Sequence, residues 1–127
     1  AQAPLNVSSM FWSWNSGYKF LKIDGRTSLP GFNIHVGSTG CVGNGAGMVS
    51  MCASPNRPEV TLMGFDPMTQ TVVADLASLV ANVNVDQSTG SPGCMSGGTD
   101  PECPPIFRSL GISVGSAPAT QSFFRAE

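Results

Sequence analysis

The sequence predicts a mainly β fold: a β-sandwich-like antiparallel domain with short helical insertions and two disulfide-pinned loops. Two observations carry this expectation. Short runs that alternate apolar and polar residues are separated by Gly, Pro and Asp turn signals. Four cysteines, an even number, sit in Gly-rich segments. At 127 residues the chain reads as one β-rich domain, 1–127, long enough to bury a core of its own.

The elements follow in order. Residues 1–7 form an extended, Pro-containing entry. Ser8 or Ser9 caps a short helix through Met10–Asn15, with Gly17 as its stop. Tyr18–Asp24 alternates as a strand, and Leu21 breaks the period, which marks a bulge or a strand buried on both faces. Asp24-Gly25-Arg26 is a turn signal. Phe32–Val36 alternates again, with Phe32, Ile34 and Val36 on one face and Asn33 and His35 on the other. Residues 37–56 read as a Gly-rich loop holding Cys41 and Cys52. The loop lacks G-K-[ST] and G-x-G-x-x-G, so a phosphate cradle is disfavoured.

Glu59–Phe65 reads as a strand, Asp66-Pro67 as a turn and Gln70–Asp75 as another strand. Leu76–Val80 reads as a short helix or helical turn capped by Asp75. Val83–Val85 is a short strand, and residues 86–104 are a second loop with Cys94 and Cys103. Pro104–Gly111 is a Pro-started, Gly-stopped helix of one or two turns. Thr120–Arg125 is the final strand. No repeat appears at a period of about 20–50 residues.

Bulk properties narrow the function. Net charge is −2, and no basic run or basic amphipathic helix offers a nucleic-acid or membrane surface. Charged residues are 11%, under half the usual share of about 25%. Hydrophobic content is 41% and mean hydropathy is slightly positive. Such a surface favours burial against another protein chain. No stretch approaches the roughly 18 apolar residues of a transmembrane segment. The start Ala1-Gln2-Ala3-Pro4 is compatible with a signal-peptidase product, a cut linker or an internal boundary.

Four cysteines allow three pairings. Cys41 with Cys52, and Cys94 with Cys103, each close a short local loop and are the favoured disulfides, each contributing roughly 2–3 kcal/mol by chain entropy. A zinc site is the rival reading, weakened by the lack of any C-x-x-C pair. Disulfides place the chain in an extracytoplasmic compartment: periplasmic, outer-surface or secreted.

Phe11-Trp12-Ser13-Trp14-Asn15-Ser16-Gly17-Tyr18-Lys19-Phe20-Leu21-Lys22-Ile23-Asp24 leads through Gly31-Phe32-Asn33-Ile34-His35-Val36 to Gly37-Ser38-Thr39-Gly40-Cys41. Later come Arg57-Pro58-Glu59-Val60, Gly64-Phe65-Asp66-Pro67 and Val73-Ala74-Asp75-Leu76-Ala77-Ser78-Leu79. Then follow Gly93-Cys94-Met95-Ser96, Asp100-Pro101-Glu102-Cys103, Pro105-Ile106-Phe107 and Gln121-Ser122-Phe123-Phe124-Arg125. In this order they resemble the MbnP-like proteins, the "metallo-mystery pair, four-Cys motif" family of secreted bacterial copper-binding proteins. Nearly all of the chain takes part, but it resembles only the C-terminal half of the usually longer members. The resemblance implies a β-sandwich-like domain. It also implies copper held by histidines and by a tryptophan oxidised to kynurenine, with a di-haem enzyme as maturation partner. The W-x-x-x-x-V-A-L-L-D-F-like segment and the N-H-x-D segment that carry those ligands are absent here, so no ligand is carried over.

His35 is the chain's one histidine and the candidate copper ligand, imidazole being suited to copper. The plainer reading is a hydrogen bond to the loop backbone that follows it. Thioethers suit copper(I), and Met48 and Met51 lie near Cys52, but Met10, Met48, Met51, Met63, Met68 and Met95 form no M-x-x-M array, so packing is the simpler role. Trp12 and Trp14 are candidates for oxidation beside a haem partner, and more simply anchors of the fold. Asn6-Val7-Ser8 is a sequon. Catalytic signatures are missing: no G-x-S-x-G, no H-E-x-x-H and no second histidine, with carboxylates scattered at turns and caps. Two functions follow as expectations. One is a non-enzymatic, secreted copper-binding protein whose metal site is completed outside this chain, by a missing N-terminal half or a partner. The other is a metal-free structural accessory subunit of an extracytoplasmic assembly, redox assemblies included.

Overall fold

The computed structural model describes residues 7–12, 17–26, 31–44, 48–87, 93–97, 99–116 and 118–127. The fold is mainly β. β1 (Lys19–Gly25) pairs antiparallel with β2 (Phe32–Gly37), and the register shifts between Lys19 and Leu21, which is the bulge that Leu21's broken alternation implies. On the other edge of β2 lies β6 (Gly93–Cys94), parallel to it through Asn33↔Gly93 and Ile34↔Cys94. Gly93 has φ 90°, and a Cβ there would stand 2.0 Å from the Asn33 carbonyl oxygen, so this close parallel approach needs glycine. β3 (Thr39–Gly43) and β4 (Val49–Ser54) form a separate antiparallel hairpin. β5 (Val72–Ala74) pairs antiparallel with β7 (Phe124–Ala126).

Two short helices complete the domain. Asp75 caps α1 (Leu76–Val80), accepting the Ser78 N–H at 3.0 Å, as its position before an apolar run leads one to expect. α2 (Cys103–Leu110) carries prolines in its first turn and ends at Gly111. The core is the inward face of β2 (Phe32, Ile34, Val36) packed against Leu79, Ile106, Phe107, Leu110 and Phe123. Within this core, the layer opposite the main sheet is largely helical. Each of these side chains contributes roughly 1.5–3 kcal/mol of apolar burial. Among the described residues no helix is long and apolar enough to cross a membrane.

Several local expectations are corrected. The entry helix is, in its described part, a 3-10 turn at Ser8–Met10. Phe11 then pairs antiparallel with Tyr18, and the Trp12 N–H donates to Gly17 O at 3.2 Å, a return that a helix cannot make. Trp14 and the sequon's Asn6 lie outside the described residues. Residues 37–56 hold the β3–β4 hairpin rather than a loop. Glu59–Phe65 forms no strand among the described residues, and Phe65 N–H turns back to Leu62 O at 3.4 Å. Val83–Val85 is likewise turned, not extended in a ladder: Val83 N–H reaches Val80 O at 3.0 Å and the Asn84 carboxamide accepts Asp86 N–H at 3.1 Å.

Candidate functional site

All four cysteines are paired. Cys41 joins Cys52 across the hairpin, and Cys94 joins Cys103 between β6 and the start of α2, the two local pairings. Cys94 and Cys103 are 0% and 1% exposed, whereas Cys41 and Cys52 are half-buried and border a groove.

That groove has a volume of about 560 Å³. Its lining includes Phe11, Tyr18 and Phe20, together with Val49, Met51 and the Cys41–Cys52 bridge of the hairpin. Phe11 and Tyr18 meet edge to face, with centroids 5.0 Å apart. Trp12 lies beneath, buried, with Lys19 Nζ 5.7 Å from its ring centroid. The Lys19 ammonium donates to Ser9 O at 2.9 Å, so this buried cation is held by a carbonyl and an aromatic face. Among the described residues that line the groove, Arg57 is the one that carries a charge.

Gly37 lies where the chain passes from the sheet into the hairpin. Its N–H donates to Ser96 Oγ at 3.0 Å, and its carbonyl accepts from Asn56 Nδ2 at 3.0 Å. Ser96 also donates to His35 O at 2.8 Å. A Cβ on Gly37 would lie 2.2 Å from Tyr18 O and 2.9 Å from the Trp12 ring. Sequence reasoning missed Ser96 and Asn56. Both adopt positive φ, 60° and 49°, without being glycine. Their reach, 59 and 19 residues from Gly37, leaves no local signal.

His35 sits on the outer face of β2 across from Lys22. Its Nε2 is 2.5 Å from Asp24 Oδ1, and Lys22 also pairs with Asp24. The imidazole thus engages a carboxylate on the neighbouring strand rather than the backbone of the following loop. The Lys22 ammonium, then His35, hold the Asp24 carboxyl below its ordinary range.

Among the described residues, the group of His, Cys and carboxylate side chains close enough to share an ion is Cys94, Asp100 and Cys103, within 4.8 Å of one another. Both sulfurs are in the disulfide, and it is the thiolate that ligates metals. Burial pushes the Asp100 carboxyl up, against the hydrogen bond it accepts from the Met95 N–H. These residues do not by themselves make a copper site. Of the methionines, Met63 and Met68 lie out in solvent and Met48 and Met51 are exposed on the hairpin, not in the core.

Fold and crosslinks define a disulfide-bonded, mainly β domain of the kind made in oxidising compartments. The sequence profile of the MbnP family matches residues 1–96, and the chain belongs to that family. Its structure is similar to that of MbnP from Methylosinus trichosporium, with a TM-score of 0.83 and 33% sequence identity. The match covers 99% of this chain and 52% of that one, so the chain spans about half the length of the solved protein. Comparison with curated protein sequences finds no match.

Proposed function

We propose that this chain is part of a secreted, non-enzymatic copper-handling protein of the MbnP type, whose metal site is completed by residues outside the chain. The supporting observation is the ligand inventory. The one histidine is engaged by Asp24, and the one trio clustered among the described residues has both sulfurs in a disulfide. His35 is this chain's candidate contribution, since its imidazole Nε2 becomes a ligand once released from Asp24. Histidines or an oxidised tryptophan from another segment or partner would supply the rest, and a di-haem partner would perform that oxidation.

A second reading is favoured by the low charge content and the open apolar groove: a metal-free structural subunit of an extracytoplasmic assembly. Metal analysis and intact-mass spectrometry on one sample of the native protein separate the two. The copper reading expects stoichiometric copper and a mass beyond that of these residues, or beyond it by oxidation. A metal-free protein whose mass equals this sequence less four cysteine protons would sink that reading and leave the subunit.

A further inference from the structure

The groove beside the hairpin has a chemistry that selects its occupant. Its walls are aromatic and aliphatic, and Val49 and Met51 remain 60% and 66% exposed. From Ser38 to Asn56 no residue carries a charge. Among the described residues Arg57 is the single charged one lining the groove, and no carboxylate among them pairs with it. An apolar trough with one unneutralised cation and no anion complements an apolar body that bears a carboxylate.

Its shape adds a second constraint. Four consecutive residues of β4, Val49 to Cys52, border the groove, so it follows the strand rather than touching alternate side chains only. Among the described residues β4 has β3 as its one ladder neighbour, and its other edge pairs with no strand among them. The exposed apolar surface also continues beyond the groove onto Val42 and Met48, further than a small molecule reaches.

We propose that this face docks an extended segment of a partner protein, apolar at alternate positions and carrying an aspartate or glutamate that meets Arg57. The segment adds to that other edge of β4, backbone pairing supplying affinity and the groove supplying selectivity. The proposal goes beyond copper handling and holds whether or not any metal binds.

The test is a displayed library of random linear peptides, panned on the intact protein and counter-selected on the Met51→Asp variant. Enrichment of sequences that alternate apolar residues and include an acid is the expected result. A synthesised winner should bind Arg57→Glu at least about tenfold more weakly than wild type. Both substituted side chains are exposed, and thermal melts should match wild type. Methylating alternate peptide amides should abolish binding if the segment pairs with β4. The proposal is overturned by no enrichment, by basic winners, by equal binding to Arg57→Glu, or by tolerance of amide methylation. It is equally overturned if dodecanoate displaces the peptide at matching concentration, which marks a site for small amphiphiles. Dimerisation of the wild type that Met51→Asp abolishes would assign the face to a second copy instead.

Discussion

The two disulfides close loops of nearly the same size, with sequence separations of 11 and 9, yet they occupy opposite environments. Cys94–Cys103 ties β6 to α2 inside the core, among Ile34, Ile106 and Leu110. Cys41–Cys52 spans a surface hairpin without charges, facing a groove. Chain entropy assigns both about 2–3 kcal/mol. Any difference in their contribution therefore comes from what surrounds them. One region is built to hold the domain together; the other is presented outward and closed by its crosslink.

The largest effect should come from breaking the buried bridge. Cys94→Ala with Cys103→Ala should cost up to about 5 kcal/mol, since lost packing adds to lost loop closure. The matched pair Cys41→Ala and Cys52→Ala should cost only the entropic share, about 2–3 kcal/mol. Urea denaturation of both double variants measures this directly. Equal losses would erase the distinction between the two regions.

A smaller effect is expected at α1. Asp75→Ala removes the side-chain acceptor for Ser78 N–H and a partner of Arg125, and should lower stability by about 1 kcal/mol. The hairpin groove should be unaffected, which a peptide-binding assay on the variant checks.

The smallest effect is acidic destabilisation through Asp24 and Asp75. Lys22 and His35 depress the first carboxyl, and the Ser78 backbone N–H, then Arg125, the second. Folding therefore favours their ionised forms. Their contribution is complete above the unfolded value of about 3.9 and is lost as pH falls through the lower folded values. Asp100 has the opposite sign: burial raises its folded value, so its contribution declines as pH rises past about 3.9 toward and through that value. Asp24→Asn should flatten the acid limb of a stability–pH curve, whereas Asp100→Asn should reduce the decline at higher pH.

Much of the structural region was legible because its signals are local. Phe32, Ile34 and Val36 alternate into the core, Leu21 marks the bulge, Asp75 precedes its helix, and Pro104 and Gly111 bracket α2. The outward region was not. Glycines at 40 and 43 interrupt the apolar alternation of β3, so the hairpin read as a loop. Val60 and Leu62 show the alternation of a strand, but a strand also needs a ladder partner, and none lies among the described residues. Gly37's two side-chain partners are distant in sequence, so the joint between sheet and hairpin left no motif. Of the candidate site, His35 and the cysteines were visible by residue type; the pairing of His35 with Asp24 depends on the β1–β2 register and was not.

The most direct test of the central claim is a copper titration of the isolated 127-residue chain, read by metal content after gel filtration and by amide and His35 imidazole resonances. No stoichiometric copper should be retained, as expected if the metal site is completed outside the chain. One tightly held copper per chain, with the His35 resonances shifted or lost, would contradict it and place the whole metal site within this domain.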